Sequence, residues 1–372
     1  MKRLFISLAV LTGLTFSSCN DSFLDKAPVT DLTEENAFNS YDNFKAFMWP
    51  CYEMFTNTTI RTSLAGFGQN GQYQGDLDAG YMQQKYESGY NKFAYQTVAS
   101  AASGNGWDFK TFIRRINIML SHIDGSSMKE DEKNHWRSVG YFFHSFWYME
   151  LIDRFGDVPW VDQVLAEDSP EAYGKREDRM VVADRVLERL QWAEQNIGNF
   201  TSQNGENTID RNCVRAALSR FTLREGTWRK YHELGDYEKY LNECVRVSEL
   251  LMSDYPTLYL GTDGQPAAGY GEMWTTEDLG SIPGVIFYKS YVADINPSGS
   301  SYIEHTSSHY VEMNQNTVDL YLMKNGKPIL NSASAYHGNK DMYATFRDRD
   351  PRLYHTVIPP YKAQAGKGDY PT

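Results

Sequence analysis

Between Trp107 and Met252 the apolar residues recur every three or four positions in five successive runs, a period that restricts this stretch to packed α-helices. The first stripe is Phe109, Phe112, Ile113, Ile116, Leu120 and Ile123. The second run, from about Glu130 to Phe155, is apolar almost all round between Tyr141 and Trp147, so neighbours must cover it on several sides. It stops at Gly156 with Pro159 just beyond, an ordinary helix ending. Val182, Val186, Leu190, Ala193 and Ile197 make the third stripe, and two more helices run from about Asn212 to Arg229 and from Asp236 to Met252, joined near Gly235. Arg215 to Leu251 has the form of a tetratricopeptide-type hairpin. Helix pairs of this kind bury their apolar faces only by stacking. The fold class expected is therefore all-α.

Flanking segments differ in character. Ser40, a good N-cap residue, opens a helix whose Phe44, Phe47, Met48, Cys51, Tyr52 and Phe55 share one face, and Pro50 should kink it. From about Thr56 to Gly106 glycines punctuate a tyrosine-rich stretch that reads as long surface excursions, and loops of that length are usually functional. After about Tyr255 the helical period fades. Gly, Pro, Ser and Tyr dominate as far as Tyr310, with a short strand expected at Val285–Tyr288 and a helix from Gln315 to Met323.

The start of the chain is a targeting signal. Lys2 and Arg3 precede a run from Leu4 to Phe16 that is too short to span a bilayer and has the proportions of a signal-peptide core. The run ends in Phe16-Ser17-Ser18-Cys19, which resembles a lipobox: residues 1–18 are a lipoprotein leader, and Cys19 becomes the acylated first residue. Several acyl chains hold a protein on a membrane without a spanning helix. A net charge of -12, made more negative when the leader departs, argues against nucleic acid and against attraction to anionic lipid, so Cys19 must supply the anchor. Cys51, Cys213 and Cys244 remain, an odd number on apolar helix faces. Core thiols are expected, with a Cys213–Cys244 bridge left open.

Several segments, in order, resemble the SusD/RagB family of outer-membrane nutrient-binding proteins. They are Cys19 to Asp25 with Pro28; the aromatic helix Gly140 to Leu151 running into Asp153-Arg154-Phe155-Gly156-Asp157-Val158-Pro159; Gln191 to Glu194; Ala216 to Arg220; and Phe346-Arg347-Asp348-Arg349-Asp350-Pro351-Arg352-Leu353. The resemblance implies a SusD-like stack of tetratricopeptide-type helix pairs over residues 19–260. Residues 261–372 would be the start of a long-looped, mostly irregular ligand-binding region. Because family members continue well past the Arg-Asp-Pro-Arg segment, the sequence is expected to be incomplete at its C-terminal end. The implied partners are the outer membrane, reached through the lipid anchor on the cell surface, an oligosaccharide or peptide ligand, and a SusC-like TonB-dependent transporter. No cofactor is implied. Asp157 or Arg154 would satisfy helix-end groups, and the Arg-Asp-Pro-Arg run would pin a loop through local ion pairs.

Enzyme readings find little to use. Glu304, His305, His309 and Glu312 offer a metal-ligand spacing, but the Ser and Pro residues around them oppose the helix it needs. Asp76 and Asp78 would serve a surface glycoside hydrolase only with a partner carboxylate at the right separation. No zincin, nucleophile-elbow or phosphate-loop motif is present. No catalytic or metal residue is therefore assigned. Binding uses what the chain has in excess: 14 % aromatic residues, including 26 Tyr and 8 Trp. Sugars present flat apolar faces ringed by hydroxyls, which suit an exposed ring with a hydrogen-bonding tip. In the family the platform is built on loops over the helical scaffold. The matching residues here are Trp274, Tyr288, Tyr291 and Tyr302, with Tyr73, Tyr81 and Tyr90 behind them. A peptide would suit the same surface.

Overall fold

The computed structural model describes residues 38–55, 79–84, 107–262, 264–290 and 311–357. Helix α1 (Tyr41–Met48) is capped by Ser40, whose hydroxyl accepts from the Asn43 N–H. It hands over to a 3-10 helix at Trp49–Phe55. Pro50 has no N–H for the α pattern, so the expected kink takes the form of this tighter turn. Three main helices come next, α2 (Phe112–His122), α3 (Glu130–Phe155) and α4 (Arg179–Asn196). After the single turn α5 (Thr201–Asn204) come α6 (Arg211–Tyr231) and α7 (Tyr237–Asp254).

Neighbouring helices pack in order, α2 on α3, α3 on α4, α4 on α6 and α6 on α7. Asp178 and Asp210 open α4 and α6 by accepting from backbone N–H groups two or three residues on. Gly226 allows the α6–α7 hairpin to close. A Cβ there would come within 2.6 Å of Leu241 Cδ2 and 3.2 Å of Tyr240 Cβ. The core runs from Phe38 to Val247, and α3 is its centre, with Phe143, Trp147, Tyr148, Leu151 and Ile152 buried. The turn after α3 is fastened to the segment that leads into α4. The Tyr148 hydroxyl donates to the Pro159 carbonyl at 2.9 Å and accepts from the Val161 N–H at 2.7 Å. The Asp157 carboxylate accepts the Arg179 N–H at 2.9 Å, satisfying an open donor of the next helix's first turn, the structural role expected of that motif.

Beyond α7 the chain forms shorter elements: α8 (Pro266–Met273), α9 (Gln315–Leu320), α10 (Met342–Phe346) and α11 (Arg352–Thr356). The α9–α11 segment has its own small core of Val318, Phe346 and Leu353. Strand β1 (Met82–Gln84) pairs antiparallel with β2 (Val311–Met313), tying the early tyrosine-rich stretch to the start of α9. Apart from this pair of three-residue strands, the regular structure of the described residues is all helical.

Two expectations are corrected, and the disulfide left open is answered. Val285–Tyr288 is not a strand, because the Asn207 side-chain amide takes the place of a strand neighbour. Its Nδ2 donates to the Tyr288 carbonyl at 2.7 Å and its Oδ1 accepts the Tyr288 N–H at 3.0 Å. The helix expected at Gln315–Met323 ends at Leu320. Cys213 and Cys244 are free thiols, Cys213 and Cys51 buried as expected and Cys244 half-buried.

Candidate ligand-binding site

Helix α8 places Tyr270 and Trp274 one turn apart on the same side. Trp274 is the helix C-cap and is 71 % exposed, an unusual position for an indole with no core to fill. Its ring stands edge-on to Tyr270, centroids 6.2 Å apart and planes at 71°. Tyr270 lines a hollow of about 770 Å³ beyond the end of α7, along with the rings of Tyr255 and Tyr259. It also lines an adjoining hollow of about 290 Å³ whose far wall is Leu320, Tyr321 and Leu322. Asp350 and Arg352 border both hollows.

The polar groups of this cleft are fixed by their neighbours. Asp350 faces Arg352 side-on, with Nε to Oδ1 at 3.0 Å and Nη2 to Oδ2 at 2.5 Å, and Oδ1 also accepts the Arg352 N–H at 2.9 Å. These hydrogen bonds hold the Asp350 carboxyl below its usual range and raise the guanidinium. The pair presents donors at the mouth, since the Asp350 side chain is mostly covered while that of Arg352 is 57 % exposed. Glu272 accepts from the Thr262 hydroxyl at 2.7 Å, from the Thr262 N–H and from the Tyr259 phenol at 3.0 Å. It thereby orients Tyr259 in the wall. Asp350 is neutralised by Arg352, and among the described residues no group of three His, Cys, Asp or Glu could hold a metal ion. Tyrosine rings flanked by a fixed ionic fork make a binding surface suited to a flat apolar face with hydroxyls at its edge.

The structure separates the residues singled out from the sequence. Trp274 lines neither hollow and adjoins the cleft through its ring contact with Tyr270. Tyr288 is half-buried, is held through its backbone by Asn207 and lines neither hollow. Tyr81 is exposed and lies beside β1. Its carbonyl accepts from the Asn314 N–H at 3.0 Å and the Thr317 hydroxyl at 2.8 Å, which brings it to the start of α9. Tyr291, Tyr302, Tyr73, Tyr90, Cys19 and the carboxylates Asp76 and Asp78 lie outside the described residues, as do Glu304, His305 and His309. Tyr255, Tyr259, Tyr270, Tyr321, Asp350 and Arg352 were not among the expected site residues. The four-residue spacing of Tyr270 and Trp274 was the available signal. The convergence of Tyr270 with Arg352 had none, because they are far apart in sequence.

A third hollow, of about 520 Å³, lies between α3, α6 and residues 284–287. Its rings are all phenylalanine, among them Phe55, Phe146 and Phe287, and an Arg224–Asp153 ion pair sits at its rim. Rings without a polar tip suit apolar side chains better than sugars.

Comparison with known proteins gives a consistent answer. Residues 287–371 match the family model described as SusD family. SusD-like protein P2 of Formosa agariphila is 24 % identical over 306 residues, covering 79 % of this chain and 57 % of that protein. A solved SusD-like protein of Bacteroides fragilis superposes with a TM-score of 0.58 at 18 % identity, over 89 % of this chain and 62 % of its own. A second structure from that organism, described as a SusD-like carbohydrate binding protein, gives 0.58 at 17 % identity over 86 % and 59 %. The chain thus spans less than two thirds of the length of these relatives. At such identities the structural likeness establishes the stacked helical fold.

Proposed function

Because the chain belongs to the SusD/RagB family, we propose that it captures an oligosaccharide in the Tyr270–Arg352 cleft and delivers it unbroken to a SusC-like TonB-dependent transporter. The observation that carries this reading is the exposed Trp274 ring set at a steep angle to Tyr270, beside a fixed Asp350–Arg352 fork. Such a corner offers a stacking face and directed donors with little side-chain freedom to lose on binding. The solved relative described as carbohydrate binding supports the ligand class. Ligand contact would favour one arrangement of protein and transporter over another, a population shift in which no bond is broken.

Cys19 would carry the acyl anchor that holds the protein at the outer membrane, exposed to the cell surface. Among the described residues no helix is long and apolar enough to cross a membrane. Cys19→Ala should move the protein out of the membrane fraction, and unchanged fractionation after carbonate washing would refute the anchor. A peptide ligand is the second reading, favoured by the phenylalanine-walled hollow beside α3. The deciding experiment incubates the protein with a panel of polysaccharides and peptides, then measures depletion and the chain length of what remains. Retention of a glycan at unchanged length is expected. Shorter products would instead identify a hydrolase, and retention of peptides alone would move the site to the α3 groove.

A further inference from the structure

We propose that Tyr270 and the Asp350–Arg352 pair form a ridge dividing the cleft into two subsites, so that the site measures ligand length. This rests on the glycan-binding reading above. Both hollows are bordered by these same three residues, so they meet along them. The larger, about 770 Å³, has room for several ring-sized units, whereas the smaller, about 290 Å³, falls at the bottom of the range of small-ligand sites and suits one. A single sugar occupies one side only. A chain that crosses the ridge touches both.

The ridge and the far wall are fastened together, as a length gauge requires. The Asp350 N–H donates to the Leu322 carbonyl at 2.8 Å, and Arg349 donates to the Tyr321 carbonyl at 2.8 Å and the Val318 carbonyl at 2.6 Å. Tyr270 is braced from its own side by Trp274, and its hydroxyl lies 3.4 Å from that of Thr356 on α11. Leu320 is 66 % exposed and Leu322 lies next to it at the far wall. The smaller subsite therefore offers one apolar face, and the Arg352 donors stand at the crossing point.

The test takes the polysaccharide best retained in the panel, cuts it by partial acid hydrolysis into a ladder of one to six units, and measures affinity for each length. Affinity should rise at least tenfold between the shortest ligand that binds and one long enough to cross the ridge, then level off. Leu320→Trp, which plugs the smaller hollow from an exposed position, should abolish that increment. Tyr321→Ala, checked by its melting curve, should act in the same direction. Length-independent affinity, or a length dependence untouched by Leu320→Trp in a folded protein, would overturn the two-subsite division while leaving the binding reading intact. If the panel yields no retained glycan at all, the binding reading itself fails and the division fails with it.

Discussion

Arg349 is almost wholly buried, and no described carboxylate forms an ion pair with it. Three carbonyls take its charge instead. Nη1 donates to Thr345 at 2.8 Å, and Nη2 donates to Val318 at 2.6 Å and Tyr321 at 2.8 Å. These carbonyls lie at or just past the C-terminal ends of α9 and α10, where helices leave acceptors open and where a cation is favoured by the helix dipole. The guanidinium also sits over the Tyr336 ring at 5.4 Å. Hydrogen bonds to charged groups contribute about 1.5–3 kcal/mol each, so three of them amount to roughly 5–9 kcal/mol before offsets. Burying the guanidinium costs several kcal/mol, which leaves a net loss of about 2–4 kcal/mol for Arg349→Met. The small core that these bonds hold has only Val318, Phe346 and Leu353 fully inside, about 1.5–3 kcal/mol apiece, and has little reserve. Hydrogen exchange should therefore accelerate across residues 311–357, while amides of α3, α4 and α6 keep their protection. Arg349→Lys should fall between, since one ammonium cannot reach three carbonyls in the same planar geometry. Unchanged exchange in the Met variant would refute the idea that this arginine fastens the segment.

Two further expected outcomes concern buried polar groups in the helical stack. His135 Nδ1 lies 3.2 Å from the Gly198 carbonyl and its Nε2 accepts from the Asn204 amide at 3.1 Å, an arrangement that requires a neutral ring. Burial lowers its pKa from 6.5 to about 4, so its stabilising contribution is complete above pH 6.5 and is lost as pH falls towards 4, by about 1.4 kcal/mol per unit. Melting curves between pH 7 and pH 4.5 should show this slope in the wild type and a shallower one in His135→Gln; equal slopes would contradict it. Glu225 is fully buried between Arg229, Nε to Oε1 at 2.8 Å, and Arg179, Nη2 to Oε2 at 2.8 Å. Glu225→Gln takes the carboxylate from Arg179 and leaves Arg229 with Asp184, and should cost about 3–5 kcal/mol, read as a melting temperature lower by roughly ten degrees. A shift within about two degrees would show that the pair is dispensable.

The long helices were legible because several signals agree there. α3, α4, α6 and α7 combine a sustained apolar period with punctuation that the structure uses: Asp178 and Asp210 as caps, Gly156 at positive φ as a stop, and a glycine at the α6–α7 contact. What the sequence concealed depends on partners far along the chain. Helix α8 is eight residues long with two glycines in its middle, and it packs against α11 about eighty residues later. β1 and β2 are separated by more than two hundred residues and are too short to carry a period. Val285–Tyr288 has the composition of a strand, yet a single asparagine side chain absorbs its backbone groups. For the proposed cleft, the excess of aromatic residues drew attention to Trp274 alone among the residues that adjoin it. Tyr259, Tyr270 and Arg352 were hidden because their roles arise from Glu272, Trp274 and Asp350, contacts that only folding assembles.

The central claim is that the rings of α8 bind sugar. It is tested by titrating the best retained glycan into wild type, Trp274→Ala and Tyr270→Ala by calorimetry, with a melting curve for each. Replacing a stacked ring should remove roughly 1–3 kcal/mol, taking aromatic stacking on nucleobases as the measured guide, which weakens binding by about tenfold to a hundredfold. The Trp274→Ala melt should stay within a degree or two of wild type, because a ring that is 71 % exposed contributes little to folding. Lost affinity with an unchanged melt is the predicted result. Undiminished binding in both variants would contradict the assignment of this cleft.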